Sequence, residues 1–267
     1  MNENLEKLFL DLYKHQFIQT LWNAEREKDK EGWILKSGLL VPWFFNMRPI
    51  GDAPLMFRAI CKLMAEMILS HEINLMVGVE MAGVPLVGGI CVEMLSLGGF
   101  TSRFAYTRPL PEKIRHPGDL ARYVSNYGQK NLVEGRIRQG DRCAVVDDMA
   151  TDLGSKIIAR RLVLFEAEDR GVEAECDHIF YFLDRGANNR QRGLDFANES
   201  NQELKPAPLD VNFVVSFNEY LPCLRKVMTE NEFQAIMEHQ KDPDRFSQDK
   251  EWRQTLIETA RIESRNV

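Results

Sequence analysis

Short apolar runs recur through the middle of the chain, and longer segments with apolar positions at helical spacing separate them. Such runs are typical of buried strands, and apolar spacings of three and four residues are typical of amphipathic helices. The predicted strands are 75–79, 100–106, 142–146, 177–183 and 211–215, and the predicted helices are 52–70, 85–97 and 154–169. Strands that alternate with helices in this way predict an α/β fold in which helices flank a parallel sheet.

The ends of the chain and one central connection differ from this pattern. Apolar residues at helical spacing predict an amphipathic helix over 3–24. The aromatic residues and prolines of 33–50 indicate a structured loop or short strands rather than a helix, and 217–267 has a polar, helical pattern. The polar segment 107–131 is long for a connection between elements, and connections of this length are usually functional.

Composition narrows the classes of function. Of the 267 residues, 44% are hydrophobic and 28% are charged, as expected for a globular protein with a buried core. A formal net charge of −6 provides no basic excess, so neither nucleic acid nor a membrane is predicted as a partner. The five cysteines include no C-x-x-C pair, which predicts reduced thiols in the cytoplasm and no structural zinc site. The acidic, polar N-terminus does not resemble a signal peptide.

The strand predicted at 142–146 leads into the most informative stretch, Val145-Val146-Asp147-Asp148-Met149-Ala150-Thr151-Asp152-Leu153-Gly154-Ser155. In an open parallel sheet, ligands bind beyond the carboxyl ends of the strands. Two carboxylates there can accept hydrogen bonds from adjacent sugar hydroxyls, and the amides that begin the next helix favour a phosphate. The alternative interpretation is that Asp147 and Asp148 only end the strand and cap the helix.

This stretch resembles the phosphoribosyl pyrophosphate (PRPP) loop of type I phosphoribosyltransferases. In that family, two acids are followed by a run rich in threonine and glycine. The matching residues are Asp147, Asp148, Thr151, Gly154 and Ser155. Asp152 stands where the family has a hydroxyl residue, and Leu153 stands where it has a glycine. The resemblance implies that the two acids hold the ribose and a hydrated Mg²⁺, whereas Thr151, Asp152, Gly154 and Ser155 surround the 5-phosphate.

Two earlier segments resemble orotate phosphoribosyltransferases in particular. Leu35-Lys36-Ser37-Gly38 and Pro42-Trp43-Phe44-Phe45-Asn46 resemble a segment whose lysine meets the diphosphate and whose aromatics line the base, which implies these roles for Lys36, Phe44 and Phe45. The run from Gly78 to Leu86 resembles the diphosphate loop, and it implies that the backbone of Met81, Ala82 and Gly83 holds the diphosphate. Ala82 stands where the family often has a lysine. For the first segment, the alternative interpretation is that Lys36 is a surface lysine beside the core aromatics Phe44 and Phe45.

Leu183-Asp184-Arg185 resembles a later segment of the same family, whose arginine pairs with the carboxylate of the base. A guanidinium group can form two parallel hydrogen bonds with a carboxylate, which suits orotate. The resemblance therefore implies that Arg185 binds the base. The alternative is an exposed arginine on a loop.

The mobile catalytic loop of the family admits two alignments. Leu132-Val133-Glu134-Gly135 resembles the turn after the loop, and this alignment leaves Arg122 as the nearby cation. The second alignment places the cations of the family's loop at Arg108, Lys113, Arg115 and His116. We prefer it because a departing diphosphate needs positive charge around it. It implies that Lys113 and His116 are catalytic and that Arg108 and Arg115 bind substrate. A solvated charged loop is the remaining interpretation.

The resemblance covers about 30–216 and implies transfer of a phosphoribosyl group from PRPP to orotate by a homodimer, with Mg²⁺ bound through PRPP. It also implies a phosphoribosyltransferase-like domain over 1–216, with a small hood from about 1–50 and 184–216, and a helical C-terminal extension over 217–267. Two alternatives remain open. One is a PRPP-binding regulatory protein with weakened turnover, favoured by Ala82, Asp152 and Leu153. The other is an enzyme that acts on a different base.

Overall fold

The computed structural model describes residues 2–35, 38–98, 102–110, 123, 132–151, 153–186 and 209–264. The chain forms two compact units, of which one comprises Met1–Asp52 with Phe217–Val267 and the other Ala53–Ser216. The sequence assigned 217–267 to an extension of its own, and those domain boundaries stay a prediction. Within the described part of the chain, every helix is too short or too polar to cross a lipid bilayer.

The helices and strands are numbered in chain order. The helices are α1 (Glu3–Lys14), α2 (Pro54–Leu69), α3 (Gly83–Ser96), α4 (Gly154–Asp169), α5 (Phe217–Leu224), α6 (Glu230–Lys241), α7 (Arg245–Gln248) and α8 (Lys250–Glu263). The strands are β1 (Ile18–Thr20), β2 (Trp33–Ile34), β3 (Leu40–Val41), β4 (Trp43–Phe45), β5 (Leu75–Gly78), β6 (Arg103–Thr107), β7 (Val133–Glu134), β8 (Asp141–Ala150), β9 (Ala174–Asp184) and β10 (Asp210–Ser216).

The unit Ala53–Ser216 is built on one sheet with the strand order β10-β9-β8-β5-β6-β7. Adjacent strands are parallel, except that β7 pairs antiparallel with β6 at one edge. The four residues of β5 are all buried, as expected for a central parallel strand covered by helices on both faces. The predicted α/β fold is confirmed, and all five predicted central strands are present with shifted ends.

Among the five predicted strands, β8 departs most from its predicted bounds. The sequence predicted a strand over 142–146, whereas β8 continues through both acids to Ala150. The neighbouring β9 has 11 residues, one more than β8, and pairs with this extension, so that Asp147 lies opposite Tyr181 and Ala150 opposite Asp184. Asp147 and Asp148 therefore lie on the strand itself, at its carboxyl end.

The helix predicted over 3–24 is wrong beyond Lys14. Gln16 adopts a left-handed conformation with φ of 58°, and Ile18–Thr20 then forms β1. This strand pairs antiparallel with β4, with Ile18 opposite Phe45. Pairing with a segment distant in sequence overrides the local helical pattern, as tertiary contacts often do.

Helices from the C-terminal end pack with the N-terminal segment in the same unit. Phe217 is fully buried and its ring stacks on Trp43 with the centroids 3.8 Å apart. Glu232 is also buried and accepts hydrogen bonds from the Tyr13 hydroxyl at 2.8 Å and from Thr20 Oγ1 at 2.5 Å. These contacts connect α1, β1 and β4 with α5 and α6.

Candidate active site

Two glycines bring the loop after β5 against the end of β8. A Cβ atom on Gly83 would lie 2.6 Å from Val146 O, and one on Gly78 would lie 2.5 Å from Gly83 O. The amide of Val79 donates to Val146 O at 2.9 Å, which continues the pairing of the two strands. Only glycine permits so close an approach of backbone to backbone. The loop from Glu80 to Ala82 is thereby placed next to the predicted ribose acids.

The loop presents backbone rather than basic side chains. Met81 is exposed, and the Glu80–Met81 peptide bond is cis. Of the three amides that the sequence assigned to a diphosphate, that of Gly83 already donates to Val79 O at 2.8 Å. Helix α3 begins here without a side-chain cap, so its positive end is not neutralised by a side chain of the cap residue Ala82.

Asp147 and Asp148 differ in their environments. Asp147 is buried, and its Oδ2 forms an ion pair with Lys156 Nζ at 2.7 Å. Asp148 is partly buried, and its Oδ1 accepts a hydrogen bond from the Met149 amide at 2.8 Å. Burial, followed by repulsion from Asp147, raises the pKa of Asp148 to about 8, although Lys156 acts in the opposite direction. At neutral pH, Asp148 is therefore mostly protonated before any ligand binds.

Lys156 was not identified from the sequence. It lies in the first turn of α4, directly after the Ser155 of the quoted motif, and it is buried. Its ammonium group also donates to the Met149 carbonyl oxygen, and it lies 3.3 Å from Ser155 Oγ. A lysine at a helix start normally extends into solvent, and only the fold of the β8–α4 connection shows that this one turns back to Asp147.

The start of α4 combines backbone amides with small polar residues. Gly154, Ser155 and Thr151 are all partly exposed, and the helix has no side-chain cap. The first amides of a helix lack partners within the helix and favour an anion. Leu153, which replaces a glycine of the family pattern, has a φ of −90° and is fully buried in the core. The leucine is therefore accommodated without a left-handed backbone.

Arg185 lies at the end of β9, next to the same edge. Its amide donates to Ala150 O at 3.1 Å, and its side chain is buried. Burial lowers the pKa of Arg185 to about 9, so the guanidinium remains charged at neutral pH. The preceding residue, Asp184, is buried and accepts a hydrogen bond from the Tyr181 hydroxyl at 3.1 Å. A buried arginine in this position differs from the exposed loop arginine that was the alternative interpretation.

Arg108 follows β6 on the other side of the diphosphate loop. Its guanidinium forms an ion pair with Glu134 at 3.0 Å, and both side chains are partly exposed. The hydroxyl of the preceding Thr107 accepts a hydrogen bond from the Glu80 amide at 3.4 Å. The structure thus brings the ends of β5, β6, β8 and β9 and the start of α4 to one edge of the sheet.

The remaining predicted residues belong to the other unit or lie outside the described residues. Phe44 is partly exposed and stacks on Trp33 with the centroids 6.3 Å apart, whereas Phe45 is buried; both belong to the other unit. The predicted site residues that lie outside the described residues are Lys36, Lys113, Arg115, His116 and Asp152.

Comparison with known proteins gives one consistent result. No model of a protein family matches the chain. The orotate phosphoribosyltransferase of Pyrobaculum aerophilum is 24% identical over 206 residues, which cover 77% of this chain and 88% of that protein. Further curated orotate phosphoribosyltransferases match at 24–28% identity.

Solved structures with the same fold include the UMP synthase of Leishmania donovani, with a TM-score of 0.62 and 19% identity over 89% of this chain. The chain spans 42% of that longer protein. The orotate phosphoribosyltransferase of Francisella tularensis matches with a TM-score of 0.55 and 14% identity, covering 87% of this chain and 93% of its own. The chain has the type I phosphoribosyltransferase fold and is similar in sequence to orotate phosphoribosyltransferases.

Two residues determine the positive charge around the predicted acids. Ala82 offers no cation in the diphosphate loop, where the resembling family often has a lysine. Lys156, in the first turn of α4, holds a cation beside Asp147 and neutralises that carboxylate.

Proposed function

We propose that this chain transfers a phosphoribosyl group from PRPP to orotate, forming orotidine 5'-phosphate and diphosphate. The observation that carries the proposal is the pair Asp147 and Asp148 at the carboxyl end of β8, between the uncapped starts of α3 and α4. Helix starts favour phosphate groups, and carboxylates accept hydrogen bonds from ribose hydroxyls. PRPP carries phosphates at both ends of a ribose, which this arrangement of charges suits.

Each end of PRPP has its own binding elements in this proposal. The amides and hydroxyls of Thr151, Gly154 and Ser155 hold the 5-phosphate, and Asp152 stays a predicted substrate-binding residue. The backbone of Met81 and Ala82 holds the diphosphate at the start of α3. The diphosphate accumulates negative charge as its bond to the ribose breaks, so cations around it stabilise the transition state. Lys36, Arg108, Lys113, Arg115 and His116 are the proposed sources of that positive charge.

The residues present fit a hydrated Mg²⁺ bound together with PRPP. Asp148 has one oxygen engaged by the Met149 amide, and its carboxylate is partly exposed, as an oxygen ligand for Mg²⁺ must be. Asp147 is held by Lys156 and is proposed to contact the ribose rather than the ion. Bound Mg²⁺ would neutralise charge on the diphosphate. Asp148 would release its proton on binding, because a nearby cation favours the carboxylate form.

Selection of the base is assigned to Arg185 and the two aromatics Phe44 and Phe45. The buried guanidinium of Arg185 offers two parallel hydrogen bonds to the carboxylate of orotate. Of the aromatics, Phe44 has the exposed surface on which a base can stack. We further propose a cytoplasmic homodimer, since the mobile loop of the resembling family reaches across a dimer interface.

An absorbance assay tests the proposal. Purified protein with PRPP, Mg²⁺ and orotate should consume orotate, and the Asp148→Asn variant should lose most of the turnover without any fall in its melting temperature. The matched control is Asp169→Asn, at the exposed C-terminal end of α4, which should retain full turnover. No orotate consumption by the wild type, or unchanged turnover in Asp148→Asn, would contradict the assignment.

A regulatory protein that binds PRPP with little turnover is the second candidate. The ion pair between Lys156 and Asp147 favours it, because it occupies one of the two acids with an internal cation. An enzyme that acts on another base is the third candidate, and a panel of purine and pyrimidine bases separates it from the regulatory protein. Calorimetry that shows PRPP binding without consumption of any base would support the regulatory role.

A further inference from the structure

Two histidines and an aspartate from three separate elements meet away from the candidate active site. His71 follows the end of α2, His178 lies within β9, and Asp210 begins β10. One ligand atom from each residue lies within 4.8 Å of the other two. His178 precedes Asp184 by six residues of the same strand, which is about 20 Å at ~3.3 Å per residue. The cluster is therefore well separated from the edge that carries Asp147 and Asp148.

Two distances within this cluster match those between ligands of one metal ion. Asp210 Oδ2 lies 3.2 Å from His178 Nδ1 and 3.5 Å from His71 Nε2. With bonds of about 2.0–2.2 Å, two ligand atoms of a tetrahedral Zn²⁺ are about 3.3–3.6 Å apart. The ligand atoms of the two imidazoles lie within 4.8 Å of each other.

Surrounding residues orient both imidazole rings. His71 Nδ1 lies 3.1 Å from Met67 O and donates to it in the neutral tautomer that leaves Nε2 as the ligand atom. A bond of this kind to a carbonyl oxygen is the usual support of a metal-bound histidine. Phe180 packs edge-on against His71 at 5.0 Å and stacks with His178 at 5.9 Å between ring centroids. Both ligand rings are thus held before an ion arrives.

We propose that His71, His178 and Asp210 bind one divalent first-row transition metal ion of the Zn²⁺ type. Two imidazoles and one carboxylate suit such ions better than Mg²⁺ or Ca²⁺, which prefer oxygen ligands alone. The half-exposed Asp210 leaves room for water as a fourth ligand. The ion would fasten the end of α2 to β9 and to the first residue of the edge strand β10, so its role is structural.

Metal titration of the full-length protein tests this site. Protein freed of metal with a chelator would be titrated with Zn²⁺ by calorimetry and with Co²⁺ by visible absorption. We expect one tightly bound ion per chain, Co²⁺ bands typical of four or five ligands, and a higher melting temperature with Zn²⁺. The double variant His71→Ala/His178→Ala should lose the ion, whereas His15→Ala, an exposed histidine of the other unit, should bind it as the wild type does.

A conservative variant keeps the test decisive if the double variant does not fold. Asp210→Asn preserves shape at a half-exposed position, and it should weaken Zn²⁺ binding by on the order of 10–100-fold or more. Unchanged affinity in Asp210→Asn, or no stoichiometric Zn²⁺ binding by the wild type, would show that the three residues only hydrogen-bond to one another. The metal titration does not depend on consumption of orotate, so its result is independent of the proposed enzymatic activity.

Discussion

At the scale of single residues, the ionisation of Asp148 determines how much negative charge the proposed site would offer to ribose and Mg²⁺. Its pKa of about 8 means that the ionised fraction rises about tenfold between pH 7 and pH 9. If the carboxylate form binds Mg²⁺ and PRPP, kcat/KM for PRPP should rise by a similar factor across that range. Initial rates at subsaturating PRPP measure this. Asp148→Asn should give a low, flat profile over the same range, and a profile that falls from pH 7 to 9 in the wild type would contradict the prediction.

The same pKa shift predicts how stability depends on pH. A carboxyl group whose pKa is raised on folding favours the folded state fully below its unfolded value of about 4, and this contribution is lost as the pH rises towards 8. Asp148→Asn should therefore be more stable than the wild type at pH 8, and the difference should shrink towards pH 4. Urea unfolding of both proteins at a series of pH values measures the difference. An equal advantage at pH 4 and pH 8 would assign it to something other than ionisation.

Lys156 should affect both the pH–rate profile and the stability of the protein through its charge. Lys156→Met leaves Asp147 as a buried carboxylate without its cation, and breaking a buried pair in this way typically costs about 3–5 kcal/mol. Since Lys156 lowers the pKa of Asp148, its removal should also move the midpoint of the pH–rate profile above 8. Lys62→Met, which removes an exposed lysine of an i,i+4 pair, is the control for both measurements. An unmoved midpoint together with wild-type stability would show that the ion pair does not form in solution.

At the scale of elements, the start of α3 depends on the absence of a side chain at Gly83. Gly83→Ala would place a Cβ atom 2.6 Å from Val146 O, so the loop has to move away from β8. We expect a loss of about 1–3 kcal/mol of stability and a higher KM for PRPP. Gly88→Ala on the same helix has its nearest neighbour at 3.9 Å, and it should be neutral or slightly stabilising. Equal effects of the two substitutions on KM would argue against a role of the loop in diphosphate binding.

How far the sequence predicted these elements depends on the range of the interactions that form them. The buried strands and α4 were predictable, because their signal lies in consecutive apolar residues or in a helical repeat. The end of α1 was not, because β1 forms only by pairing with β4, more than twenty residues later. The acids of the candidate site were found from a contiguous motif. Lys156 and the cluster of His71, His178 and Asp210 were missed, because their partners become neighbours only in the folded chain.

At the scale of the whole molecule, the chain is divided so that its two ends share one unit. The predicted acids, diphosphate loop and Arg185 all belong to Ala53–Ser216, whereas the aromatics Phe44 and Phe45 belong to the unit formed by the two ends. The proposed recognition of the phosphorylated sugar thus belongs to Ala53–Ser216. The packing of the predicted base-lining aromatics belongs to the unit formed by the two ends. A substitution in the C-terminal helices is expected to act on the packing of these aromatics.

The contact between Phe217 and Trp43 provides the test of that arrangement. Phe217 is fully buried, and its ring centroid lies 3.8 Å from that of Trp43 and 5.7 Å from that of Phe9. Replacing its ring by a methyl group therefore removes packing from α1 and from β4 at once. Phe217→Ala should cost about 3–5 kcal/mol, measured by urea unfolding with tryptophan fluorescence as the probe. Ile262→Ala, at an exposed position of α8, is the matched control and should change stability by less than about 0.5 kcal/mol. If Phe217→Ala were as mild as the control, the packing between the C-terminal helices and the N-terminal segment would contribute little to stability.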